Sequence, residues 1–340
     1  MFPGLLPYLV IALVAAVDFL WVAVSNIAVD TNSFIAIIPT LTLTAALALA
    51  ARRVGSHFSP LLPEESRDTG IRCFICISIL LEGMLFMRIT GLGLPLFNHL
   101  TMSLPFPYAD GWLMKADQML HLDWTGYFTF VARHPQLVVL FEAYYNFLGF
   151  ALVAVFLGLL FYNRLVALEF FLANFVFIAM ICLIAGMFFP AEGAVAHIIG
   201  NKAILKNFDT PPGIYHVPYL EALRSGKPLL LSLGSLPGLV TFPSFHTAAG
   251  IIIAWSCKRS PLFLPALIYA TLMIASTPVI GGHYFIDLLA GMVVAVTILS
   301  LSERLPRYRG FSTRVFSPAA AYAPPDESSA PRRRQDLWIS

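Results

Sequence analysis

The chain has 340 residues and a net charge of +2, with 58% hydrophobic and only 12% charged residues. Soluble domains carry about 25% charged residues, and several apolar runs here reach the ~20 residues that cross a bilayer. The composition therefore excludes an ordinary soluble globular protein, and so small a net charge gives no sign of a nucleic-acid partner. The four cysteines, Cys73, Cys76, Cys182 and Cys257, all sit in or beside apolar segments. The Cys73-x-x-Cys76 pair has no second pair or histidine set beside it, so helix packing explains it better than metal or redox chemistry.

In chain order, eight candidate spans cover residues 5–24, 34–51, 71–92, 137–161, 165–189, 244–257, 261–280 and 283–301. The first lacks a basic leader and a cleavage site and reads as a retained helix. The sixth is short and must borrow its flanks. The expectation is an all-α, polytopic membrane bundle of about eight transmembrane helices. It divides into N-terminal helices (1–97), a membrane domain (98–301) with outer loops at 98–135 and 190–242, and a basic tail (302–340) that reads as disordered. Arg52, Arg53, Arg67 and Arg72, then Arg164, then Lys258 and Arg259, then Arg304, Arg307 and Arg309 all fall on one side if the helices alternate. Basic residues in short connections mark the cytoplasm. Both chain ends are therefore expected there, with the long loops on the periplasmic side of a bacterial inner membrane.

Between the third and fourth spans, residues 110–120 alternate apolar and charged side chains as a short interfacial helix would, with Asp110 as its N-cap candidate. The loop at 190–242 is long and rich in Pro, Gly and Tyr, with a turn at Pro211-Pro212-Gly213, as expected of a lid or binding loop. Charged residues in or near the spans are Asp18, Glu82, Arg88, Glu142, Glu169 and Asp287, and each is a functional candidate by default. Tyr144, Tyr145 and Asn146 follow Glu142 near the outer side and fit either a polar cavity or headgroup-level packing.

Two stretches concentrate the chemistry. Pro243-Ser244-Phe245-His246 opens the sixth span, and His283-Tyr284-Phe285-Ile286-Asp287 opens the eighth. Asp287 follows His283 by one helical turn, so the two share a face, and a carboxylate beside an imidazole fixes its tautomer and stabilises its cation. One helix up and one back separate the two histidines, which brings them to the same membrane face. A pair of imidazoles backed by a carboxylate suits phosphoryl transfer: one ring attacks phosphorus, the other passes a proton to the leaving oxygen. A helix opened by Pro243 and Ser244 offers N–H groups and a hydroxyl to an anion. The remaining histidines, His57, His99, His121, His134, His197 and His216, have no partner by spacing and read as surface residues. No close His/Cys/Asp cluster suggests a metal.

These motifs resemble those of the type-2 phosphatidic acid phosphatase superfamily, K-x6-R-P, P-S-G-H and S-R-x5-H-x3-D. Pro243-Ser244-Phe245-His246 matches the second with Phe for Gly. Ser276-Thr277, His283 and Asp287 match the third with Thr277 for its phosphate-binding arginine, and the first motif is absent. Retained histidines with lost arginines resemble the branch of inositol phosphorylceramide and sphingomyelin synthases. The resemblance implies His283 as nucleophile, Asp287 as its orienting partner, His246 as acid and base, and no metal or organic cofactor. The missing phosphate clamp leaves Ser244, Arg88, Arg133, Lys202 and Lys206 as candidates, with Arg224 and Lys227 beside them. The expected function is a membrane lipid phosphotransferase acting on a phospholipid, with a ceramide or diacylglycerol acceptor. The alternative with water as acceptor is a lipid phosphate or polyprenyl diphosphate phosphatase. A non-catalytic lipid binder or transporter would not require the intact His246, His283 and Asp287 set.

Overall fold

The computed structural model describes residues 2–58, 64–199, 205, 206, 208 and 211–309. Lys202 and the tail beyond Arg309 lie outside them.

In hydrocarbon every backbone N–H and C=O must pair within its own segment, so apolar runs fold as helices. Each expected span is one. α1 (Leu5–Val24), α2 (Thr31–Phe58) and α3 (Glu64–Met102) come first. The fourth span is α6 (Pro135–Asn146) with α7 (Leu148–Phe161), and α8 (Leu165–Phe188) follows. The last three are α11 (Phe245–Ser256), α12 (Phe263–Ile280) and α13 (Phe285–Arg304). Six of these are long and apolar enough to cross a membrane; α6 with α7 makes a seventh, and α11 is shorter. The fourth span is not straight. It bends by 55° between α6 and α7, where Asn146 and Gly149, both weak helix formers, flank the break. α3 runs on past residue 92 through Pro95 to Met102.

α8 forms the centre. It is apolar all round, which suits a helix covered on every side, and α1, α3, α7, α11 and α13 all pack on it. Phe156 of α7, Leu168, Phe170 and Ile178 of α8, Ile252 of α11 and Leu299 of α13 are completely buried together. Lipid is as apolar as these side chains, so close fit rather than escape from water holds them. Gly291 supplies one such fit: a Cβ there would strike the Ser244 carbonyl, so its bare backbone lets the start of α11 lie against α13. α12 packs on α11 and α6, and α2 packs outermost against α3.

One face gathers the Phe2 N–H, Arg52 and Glu82, which bond together, and Glu169 with Arg307 and Tyr308. The deep charges Glu82 and Glu169 are thus paired at one end of the bundle. The other face carries the loops, with α4 (Asp110–Met119), α5 (Trp124–Ala132), α9 (Ala194–Ile198) and α10 (Val217–Arg224). There β1 (Ile27–Val29) pairs in parallel with β2 (Leu229–Leu231), Ile27 opposite Leu229, joining the α1–α2 connection to the second outer loop.

α4 is the expected short helix, but Asp110 is not its cap: Ala109 occupies that position, and Asp110 turns into the protein, 3% exposed. Its carboxylate accepts the N–H groups of Glu192 (2.9 Å) and Gly193 (3.0 Å) and the Tyr284 hydroxyl (3.0 Å). A buried carboxylate needs such partners, and three donors outbid a cap that water could serve.

Candidate functional site

The first turn of α13 builds one side of the site. A helix start leaves N–H groups without intrahelical acceptors, and two carboxylates take them here. Asp287 Oδ2 accepts the Tyr284 N–H at 3.0 Å. Asp117, from α4, accepts the N–H groups of Phe285 (2.9 Å) and Ile286 (2.7 Å). Burial pushes the Asp117 carboxyl up from its ordinary value, and the two N–H bonds pull it partly back. Asp110 and Asp117 lie two turns apart on α4, on the face that also buries Leu113.

His283 precedes this turn and is 3% exposed. Its Nδ1 lies 3.3 Å from Asp287 Oδ2, and its carbonyl accepts the Trp124 indole N–H at 2.9 Å. The ring also has the Thr241 backbone as a hydrogen-bond partner, and a tautomer with Nδ1–H turned to the carboxylate would leave the lone pair at Nε2. Facing it is His246 in the first turn of α11, with ring centroids 6.3 Å apart and planes at 67°. Tyr145 of α6 stacks on His246, centroids 4.1 Å apart and planes 17° from parallel. The Tyr145 hydroxyl lies 3.4 Å from that of Tyr215 in the outer loop. The Ser244 N–H donates to the Asp287 carbonyl at 2.9 Å, which ties the two motif-bearing helices together at their starts.

The expected phosphate ligands are not gathered here. Ser244 is fully buried, and its Oγ accepts the Thr247 N–H, so it caps α11. The N–H groups of Phe245 and His246 in the same turn have no partner among the described residues. Arg88 is exposed on α3, and Lys206 is exposed in the outer loop. Arg133 lines a surface groove with Asp123 and Thr129, away from the histidines. Arg224 donates to the carbonyls of Met102 and Phe106 and lies over the Tyr108 ring. Thr277, in the place of the missing arginine, turns its hydroxyl back to the Met273 carbonyl at 2.8 Å.

Two histidines expected at the surface are buried. His99, 0% exposed, lies inside α3 with Nδ1 2.9 Å from the Pro95 carbonyl. His216, 2% exposed, lies under the outer loop close enough to His283 and Asp110 to feel their charges. The partner of His99 is a backbone carbonyl and that of His216 lies 24 positions back, so side-chain spacing gave no signal for them.

An apolar cavity of about 370 Å³ runs between α3, α7 and α8 and ends at His246. Thr90, Gly91 and Asn98 of α3 and Gly149 of α7 are among its walls. A second, more polar cavity of about 650 Å³ lies across Tyr145, with Glu142, Asn146 and Tyr215, and both cavities touch Gly238.

Fold and site together define a helical membrane protein with a His–His–Asp constellation at the head of an apolar cavity. The profile of the PAP2 superfamily matches residues 111–301, more than half of the chain, and the chain belongs to that superfamily. Membership fits a lipid phosphatase or phosphotransferase. No curated protein and no solved structure matches the chain.

Proposed function

We propose that the chain is a membrane enzyme that transfers a phosphoryl-linked group from one lipid to a lipid hydroxyl through a phosphohistidine at His283, on the outer face of the membrane. The opposition of His246 and His283, with Asp287 behind His283, is the observation that carries this reading. In the first step Nε2 of His283 forms a bond to phosphorus, and the bond to the leaving oxygen breaks. His246, protonated, gives that oxygen its proton, and Asp287 stabilises the His283 cation. In the second step His246 takes the proton of the acceptor hydroxyl, whose oxygen bonds to phosphorus as the P–N bond breaks. Each proton transfer is worth about 10²–10⁴-fold. The unpartnered N–H groups of Phe245 and His246 point to where a phosphate oxygen gains charge.

Transfer is favoured over hydrolysis by the burial of His283 and Asp287, 3% and 0% exposed, since shielding from water protects a reactive intermediate. The apolar cavity ending at His246 suits a hydrocarbon chain, with a phospholipid as donor and a ceramide or diacylglycerol as acceptor. The scheme needs no metal or organic cofactor.

The test is a labelled phospholipid panel with purified protein in detergent, each lipid run with and without ceramide or diacylglycerol. A new phospholipid that appears only with acceptor supports transfer; free phosphate regardless of acceptor makes it a phosphatase. His283→Ala is expected to abolish turnover while leaving insertion and melting temperature intact, and retained turnover would remove His283 from the nucleophile role.

A further inference from the structure

Among the described residues the site holds two histidines and a carboxylate but no cation for the phosphate oxygens. Thr277 is turned away, Arg224 is bound to carbonyls, and Arg133, Lys206 and Lys227 are exposed. The second outer loop, however, is docked onto the His283 turn. Gly213 N–H donates to the Ile280 carbonyl at 2.9 Å, and Ala194 N–H to the Gly282 carbonyl at 2.6 Å. Gly213 (φ +61°) and Gly282 (φ +70°) lie backbone to backbone, where a Cβ on Gly282 would come within 2.7 Å of the Gly213 Cα. Three residues beyond Gly213 comes His216. Its neighbour Tyr215 reaches Tyr145, the residue stacked on His246.

The His216 ring is bonded through one nitrogen and unpartnered at the other, buried one. The Glu192 backbone carbonyl accepts a hydrogen bond from it, and Asp110 in turn fixes Glu192 through its N–H. Nε2 is buried and has no partner among the described residues, which leaves Nδ1 as the donor to Glu192. A buried ring nitrogen without a partner costs about 1–3 kcal/mol, and such an atom beside a site is filled when the ligand arrives. Burial, with the His283 charge next, lowers the His216 imidazole to about 4. The empty site therefore holds a neutral ring with its lone pair at Nε2.

We propose that His216 is a phosphate-binding residue of this site, its Nε2 meeting a non-bridging oxygen of the phosphate held between His246 and His283. Nε2 accepts from a P–OH, or takes up a proton and donates to a P–O⁻; in both cases one charge-assisted hydrogen bond forms and no bond to phosphorus changes. This stands in for the arginine missing at Thr277 and rests on the phosphoryl-transfer reading above.

Two substitutions separate binding from support. His216→Asn puts an amide nitrogen near the place of Nδ1 and nothing at Nε2; His216→Gln does the reverse. The probe is inorganic phosphate, titrated calorimetrically into the full chain in detergent, with thermal melting and turnover on the lipid panel alongside. The wild type is expected to bind phosphate. His216→Asn should melt like the wild type but bind phosphate about tenfold or more weakly, as for loss of one hydrogen bond to a charged group. His216→Gln should keep more of the binding, and turnover should follow the same order through KM. Wild-type phosphate affinity and KM in His216→Asn would overturn the proposal, as would failure of the wild type to bind phosphate. Retained turnover in His283→Ala would instead sink the phosphohistidine reading while leaving the phosphate titrations to stand or fall alone.

Discussion

Asp287 accepts from two donors with one oxygen: the Tyr284 N–H that opens α13 and the His283 ring that faces the cavity. Helix start and imidazole tautomer are therefore set by the same atom. Asp287→Asn preserves size and, with its carbonyl oxygen in the place of Oδ2, both acceptor contacts, but removes the negative charge that stabilises the His283 cation. Turnover is expected to fall on the order of 10³–10⁴-fold, as for loss of the carboxylate behind a catalytic imidazole, with the melting temperature little changed; steady-state rates and thermal melts on one preparation check this. Asp117→Asn should behave in the opposite way. It loses one of two N–H partners at a helix start, a cost of about 1–3 kcal/mol, so its melting temperature should drop while residual turnover stays far above that of Asp287→Asn. His283, Asp287 and His246 were legible in the sequence because one turn and one helix pair of spacing relate them. Asp110, Asp117 and His216 were not: the two aspartates meet partners 82 or more positions away, and His216 meets Glu192, 24 positions back across the second outer loop. The only trace was two aspartates on the apolar face of α4.

Among the elements, the broken fourth span and α3 shape the apolar cavity between them. Sequence gave a single span at 137–161, since periodicity cannot register a bend that keeps both halves apolar; Asn146 and Gly149 were the local hint. Gly91 of α3 and Gly149 of α7 both line the cavity, and a Cβ on either would meet nothing within 4 Å. Leucine at either position thus fills the space without disturbing the helices. Gly91→Leu and Gly149→Leu are expected to raise KM for a long-chain lipid about tenfold, the equivalent of excluding roughly two methylenes at ~0.8 kcal/mol each. KM for a short-chain analogue should stay near wild type, and equal effects on both would show that the cavity does not take the chain. α3 lies outside residues 111–301, so part of the cavity wall comes from helices beyond the matched family segment.

For the whole molecule, the helical segments were readable because lipid leaves a chain few choices, and all eight expected segments are helical. The docking of the outer loop was not readable, since it rests on Gly213 against Gly282 and on backbone bonds between distant turns. Orientation is checked by thiol labelling in intact cells, with the four native cysteines replaced by serine. Met119→Cys, at a side chain 80% exposed in α4, should react with an impermeant reagent from outside. Leu305→Cys, 51% exposed just beyond α13, should react only after permeabilisation. The reverse pattern would invert the proposed topology and put the histidine pair in the cytoplasm.

The pairing of β1 with β2 has a consequence for biosynthesis. Ile27 leaves the ribosome about 200 residues before Leu229, its partner, an interval on the order of 10–40 s at ordinary translation speeds. Throughout it the first helical hairpin stands in the bilayer with its connecting strand unmated. Asp110 and Asp117 are likewise synthesised well before the turn of α13 that they serve. The nascent protein inserts early and assembles its site last, when the final helix arrives.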